Sequence, residues 1–103
     1  MTIRVMQERT VVPGFQVELS TQLRRLRSKA VLQPGYISGE TIVDLWNPQI
    51  FMTLSRWENV DAWQRWERSP ERVEILSTIN ALLQGRAVVR VWNEGDDHPP
   101  VGM

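Results

Sequence analysis

YISGETIVDLWNPQIFMTLSRW, residues 36–57, is the stretch on which the fold turns. Its first part is rich in β-branched and aromatic residues, Asn47-Pro48 supplies turn chemistry, and QIFMTLSRW returns with the same character. Two such runs around a turn predict an antiparallel hairpin whose first arm extends to Trp46. Gly39 interrupts that arm and marks a bulge or a close backbone approach.

Upstream of the hairpin, Gln33-Pro34-Gly35 closes a helix whose apolar stripe is Phe15, Leu19, Leu23, Leu26 and Ala30, at steps of three and four. Arg24, Arg25, Arg27 and Lys29 fall mostly outside the stripe and read as a solvated face that complements the helix C-terminus. Before it, IRVMQERT alternates Ile3, Val5 and Gln7 against Arg4, Met6 and Glu8, the period of a half-buried strand. Downstream, Asn59 caps a short helix with Trp63 and Trp66 on one side. Ser69-Pro70 starts a longer one through Val73, Leu76, Ile79, Leu82 and Leu83, which Gly85 ends. RAVVRVW alternates again as a last strand.

The order is therefore β-α-β-β-α-β, an α+β ferredoxin-like arrangement: a four-stranded antiparallel sheet with helices on one face. The expected division is a domain over 1–94 and a flexible C-terminal tail over 95–103. The uncovered sheet face must be wet, or meet another sheet or a ligand.

Twelve Lys and Arg balance twelve Asp and Glu, so no net field gathers nucleic acid or anionic lipid. With no cysteine there is no disulfide, thiolate nucleophile or zinc-thiolate site. The N-terminus lacks the apolar centre of a signal peptide, and no apolar run reaches spanning length. A cytoplasmic protein with neither nucleic-acid nor membrane partners is the expectation. Glycine-rich phosphate loops, paired histidines at metal spacing and nucleophile elbows are absent from the sequence.

PGYISGETIVD followed by FMTLSRWENVDAWQRWERSPE resembles the antibiotic-biosynthesis monooxygenase family, over about residues 3–92. Trp57-Glu58, followed by Asp61, Trp63 and Trp66, is the most specific part and is also similar to the haem-degrading branch. The resemblance implies a subunit that pairs sheet to sheet into a dimeric α+β barrel, with a pocket between helices and sheet. It also implies oxygenation of aromatic substrates without bound metal or flavin, or haem binding. The haem branch places a histidine ligand where this chain has Ile75 and Leu76; its only histidine is His98, in the tail. That branch's first-strand asparagine aligns with Glu8, and the catalytic asparagine of the cofactor-independent branch aligns with Thr53.

The expected partners are thus a second copy of the chain and a small or flat aromatic molecule, with no cofactor and no metal site. Trp57 and Trp66 would position the substrate, Thr53 would donate to its oxygen, and Glu8 or a water would take the proton, Glu8 as a carboxylate trapped near an apolar pocket does. Trp63 and Arg72 complete the substrate-binding set. Core packing of the three indoles remains the alternative, as do pairing of Arg72 with Glu58, Glu67 or Glu71, and exposure for Glu8, Glu40 and Asp44. Trp46 and Trp92, at strand ends, are candidates for a dimer contact.

Overall fold

In the computed structural model, which describes residues 1–94, the elements are β1 (Ile3–Thr10), α1 (Gln16–Ala30), β2 (Tyr36–Val43), β3 (Ile50–Trp57), α2 (Val60–Glu67), α3 (Pro70–Asn80) and β4 (Val88–Asn93). The sheet order is β2-β3-β1-β4 and every pairing is antiparallel. This is the ferredoxin-like α+β fold, with the helical half between β3 and β4 broken into α2 and α3. The break has a local cause. Asn59 accepts a bond from the Ala62 amide to start α2, and Ser69, before Pro70, accepts one from the Arg72 amide to start α3. His98 and the tail over 95–103 lie outside the described residues.

Ile3, Val5, Gln7 and Arg9 alternate inward from β1, so its helix-facing side is apolar at one end and polar at the other. Leu19, Leu23, Leu26 and Ala30 of α1 pack there as expected, but Phe15 is the N-cap residue and is exposed. In α3 the buried face is Arg72, Ile75 and Ile79; Val73 points to solvent, and Leu82 and Leu83 pack from beyond the helix end. The stripe is thus rotated from the one the sequence suggested. Either choice of residues is helical in period, and only the packing of α3 against its neighbours, α1 chief among them, decides between them.

The strand reaching for Trp46 also stops early, at Val43. The carboxylate of Asp44 accepts the backbone N–H groups of Trp46 and Asn47, at 3.0 and 2.7 Å, which bends the chain into the turn before Leu45 and Trp46 can pair. At Gly39 the predicted close approach is made by a side chain: a Cβ there would stand 2.5 Å from the Tyr36 hydroxyl. The bulge falls just before it, where the β2–β3 register shifts between Tyr36 and Ser38.

Among the described residues, no helix covers the opposite face of the sheet. Registers place Met6 and Glu8 there beside Met52, Leu54, Val88 and Arg90, and Arg4 beside Arg56 and Trp92, so that an apolar strip runs between charged groups on the side the helices leave open. At its edge Glu94 takes a two-pronged bond from Arg56, both contacts 2.8 Å, and a third from Arg4 at 2.8 Å. These hydrogen bonds, Arg56 first, hold the Glu94 carboxyl down at about 2 from an ordinary 4.5. A carboxylate lowered by folding contributes stability above its unfolded value and loses it as pH falls through the folded one. Thermal unfolding should therefore show a Tm that declines between pH 4.5 and about 2, with a shallower decline in Glu94→Gln.

No helix among the described residues is long and apolar enough to cross a membrane.

Candidate functional site

The helix-facing side of the sheet carries two spaces that share one residue. Gln7 pairs with Thr53 on one side and with Val89 on the other, at the centre of the sheet. Toward β3 and β2 lies a hollow walled by Trp57, Trp63 and Trp66, with Thr53, Ser55 and Tyr36 along its floor and edge. Toward β4 lies a cleft under α3, lined by Arg9, Arg72, Leu76, Arg86 and Val89. Gln7 borders both.

The indole hollow is tightly packed. Trp57 meets Tyr36 edge-on at 5.2 Å and Trp63 at 5.8 Å, and its indole N–H donates to Ser55 Oγ at 3.1 Å. All three tryptophans are buried, Trp57 at 1% exposure. The remaining space is about 40 Å³. That admits a water, whose share of the liquid is about 30 Å³, but lies far below the roughly 300 Å³ at which small-molecule pockets begin. A flat aromatic guest does not fit between these rings as they stand. From α1, Arg27, expected on a solvated face, instead turns to this hollow and donates to Thr41 Oγ1 at 3.0 Å. Tyr36, half-buried there, has its phenol pushed above its usual pKa by burial, and the Arg27 charge works against that rise.

The cleft differs in both size and charge. Its volume is about 420 Å³. Arg9 and Arg72 stand at its inner wall, buried to 2% and 6% exposure. Each donates from Nη2 to the same acceptor, Gln7 Oε1, at 3.1 Å, so a neutral amide oxygen sits between two cations. Arg9 Nη1 also reaches Thr53 Oγ1 at 3.4 Å, and Arg72 Nη1 reaches the Glu67 carbonyl at 3.3 Å. The Nε groups of both are buried with no hydrogen-bond partner among the described residues. Burial first, then repulsion from Arg72, lowers the Arg9 pKa to about 10; burial lowers that of Arg72 as well, against a raising effect of Glu67. The guanidinium of Arg72 also lies 5.1 Å from the Trp63 ring centre, which joins cleft to hollow.

Of the six site residues proposed from sequence, Trp57, Trp63, Trp66 and Thr53 come together around the hollow. Arg72 comes to the neighbouring cleft, and within 4.0 Å it pairs with none of Glu58, Glu67 or Glu71. Glu8 does not join them. It follows Gln7 on a strand whose side chains alternate, so it faces the uncovered side of the sheet, with Met6, Ile42 and Met52. Glu40 and Asp44 are exposed. Sequence reasoning missed Gln7 and Arg9 as site residues, although the alternation from Ile3 and Val5 carries both onto the covered face.

A family model described as antibiotic biosynthesis monooxygenase matches residues 2–76, from β1 through most of α3 and hence the walls of the hollow. The chain belongs to that family. Among curated relatives of this monooxygenase family member, a 42.8 kDa protein in the whiE locus of Streptomyces coelicolor is 26% identical over 100 residues. The match spans 95% of this chain but 25% of that protein, so the chain covers about a quarter of the relative's length. Solved structures with the same fold include a conserved protein from Methanosarcina mazei, 21% identical with a TM-score of 0.87 over 92% of this chain and 94% of that one. Another is SnoaB, a cofactor-independent oxygenase from Streptomyces nogalater, 16% identical with a TM-score of 0.84 over 96% and 98% of the two chains. At such identities the likeness shows the fold alone.

Proposed function

We propose that this monooxygenase family member is a homodimeric oxygenase of a small electron-rich aromatic molecule, with the organic substrate in the cleft and dioxygen in the indole hollow beside it. The supporting observation is the pairing of unequal spaces across Gln7: about 420 Å³ on one side and about 40 Å³, walled by indoles, on the other. The apolar strip on the open sheet face supports pairing with a second copy. No bound metal or flavin is required if the substrate is acidic enough to form a carbanion. Its C–H proton leaves, the carbanion forms a C–O bond to dioxygen, and the O–O bond breaks as a carbonyl forms and water departs. A CH₂ group thus becomes C=O and one oxygen atom leaves as water. Glu67, the carboxylate bordering the cleft, receives the proton, a role Glu8 cannot serve from the other face. Arg9 and Arg72 stabilise the substrate anion in the cleft, while at the oxygen-bearing end Thr53 donates to the oxygen being reduced and Trp57 and Trp66 keep water out.

The test is oxygen consumption by the purified chain with anthrone-type and naphthol-type substrates. Stoichiometric uptake is expected, with kcat reduced about a hundredfold in Glu67→Gln, the lower end of what a general base contributes. Thr53→Val should lower it less. Uptake that neither substitution alters, or none with any such substrate, rejects the reading. The small size of the hollow favours a second reading, in which the indoles are core and the dimer only binds ligands; retained ligand binding without turnover would support it.

A further inference from the structure

We propose that the Arg9–Arg72 cleft is a carboxylate-recognition site, and hence that the molecule held in it is an aromatic or alicyclic acid. This rests on the reading above that the cleft is the substrate's seat, and it deepens that reading by naming the substrate class.

Two buried guanidiniums share one neutral oxygen, and none of the ion pairs among the described residues involves either of them. Burying a charge without a counter-charge is unfavourable, and burying two side by side is more so. Yet the fold places both on the inner faces of their elements, Arg9 at 2% and Arg72 at 6% exposure, beside a space of about 420 Å³. Both Nε groups are fully buried and lack an acceptor among the described residues. A guanidinium offers its N–H groups in a planar fork that matches a carboxylate's two oxygens. An anion entering from the cleft would supply the counter-charge that both cations lack among the described residues. Exposed Arg86 adds a third positive group at the rim.

The remaining lining selects the body attached to that anion. Leu76, Ala87 and Val89 are apolar, and Asn80 is the neutral polar group among them. A fully hydrated inorganic anion would leave those surfaces unused, whereas an acid with a ring would cover them. Glu67 is the opposing feature: it borders the cleft, and its charge acts on Arg72. It therefore penalises an anionic ligand, and its neutralisation should strengthen binding.

The experiment is calorimetric titration of the full chain with 2-naphthoate, 2-naphthamide and inorganic phosphate. Naphthoate should bind at least about tenfold tighter than the isosteric amide, as charge-assisted hydrogen bonds imply. Arg72→Gln should weaken naphthoate about tenfold without altering the amide, and Glu67→Gln should strengthen it. Exposed Arg86→Gln, which disturbs no core contact, should weaken it a few-fold and keeps the test decisive if the buried variant misfolds. Equal binding of acid and amide, phosphate binding tighter than naphthoate, or affinity unmoved in both arginine variants overturns the proposal. Naphthoate binding without oxygen uptake would uphold this site and sink the oxygenase reading, so the two fail separately.

Discussion

Trp57→Ala should destabilise the domain by about 3–5 kcal/mol, the range for removing a large aromatic from a packed core. Single domains of this kind have only about 5–15 kcal/mol in total, so the variant should unfold at far lower urea. Three observations combine in that figure. Trp57 is buried to 1% exposure, it meets Tyr36 and Trp63 edge-on at 5.2 and 5.8 Å, and its N–H satisfies Ser55 Oγ, itself buried. Truncation opens a cavity, removes two aromatic pairs worth about 0.5–1.5 kcal/mol each, and strands the serine hydroxyl. Trp57→Phe retains a ring and should lose roughly half as much. Equilibrium urea unfolding, with the m-value checked for constancy, measures both. A loss under about 1 kcal/mol for the alanine variant would mean that the surroundings collapse easily, as the walls of a vacant binding pocket do, and that the tight hollow overstates the packing.

The sequence discloses the ferredoxin-like order because each element keeps one clear period. Caps at Asn59 and Ser69 are legible for the same reason: their side chains answer to amides three residues away, and nothing distant is needed. Less legible is where one local preference competes with another or where distant partners decide. Asp44 ends β2 by folding its carboxylate onto the amides of Trp46 and Asn47, which competes with a strand that propensity alone would extend to Trp46. The site residues divide along the same line. The tryptophans and Thr53 were gathered through a family resemblance and do cluster, but their crowding, which reduces the hollow to about 40 Å³, follows from packing that no period encodes. Arg9 and Arg72 were within reach of the pattern. Arg9 continues the inward series from Val5, and Arg72 shares a face with Ile75 and Ile79 at helical spacing. The β1 alternation, followed in the sequence only as far as Gln7, omits Arg9, while Arg72 enters as a substrate contact at a helix start and not through its buried face.

Gly35→Val should lower stability by roughly 3 kcal/mol and loosen the tryptophan wall with it, because this glycine meets two restrictions together. Its φ of +86 lies in the left-handed region, where a β-branched residue is strongly disfavoured, by about 1–2 kcal/mol or more. In addition, an added Cβ would stand 2.5 Å from Ala62 Cβ, inside contact distance of α2. Neither neighbour can retreat cheaply. Ala62 has no flexible side chain to swing aside, and the Gly35 carbonyl accepts the Glu58 amide at 2.8 Å, tying the end of the α1–β2 connection to the start of the tryptophan segment. Relief must come from moving α2, which carries Trp63 and Trp66 over the sheet. Gly35→Ala should show the same signs at smaller size, and Gly14→Ala provides the control: its φ of +93 is similarly left-handed, but nothing lies within 4 Å of its added Cβ. The difference between the two alanine variants isolates the α2 contact from backbone strain. Near-ultraviolet circular dichroism, which reports the packed indoles, should change for Gly35→Ala and stay as in the parent for Gly14→Ala. Equal loss of stability and unchanged spectra in both would show that α2 is not held in place by this approach, and that the wall around the hollow owes its position to the caps alone.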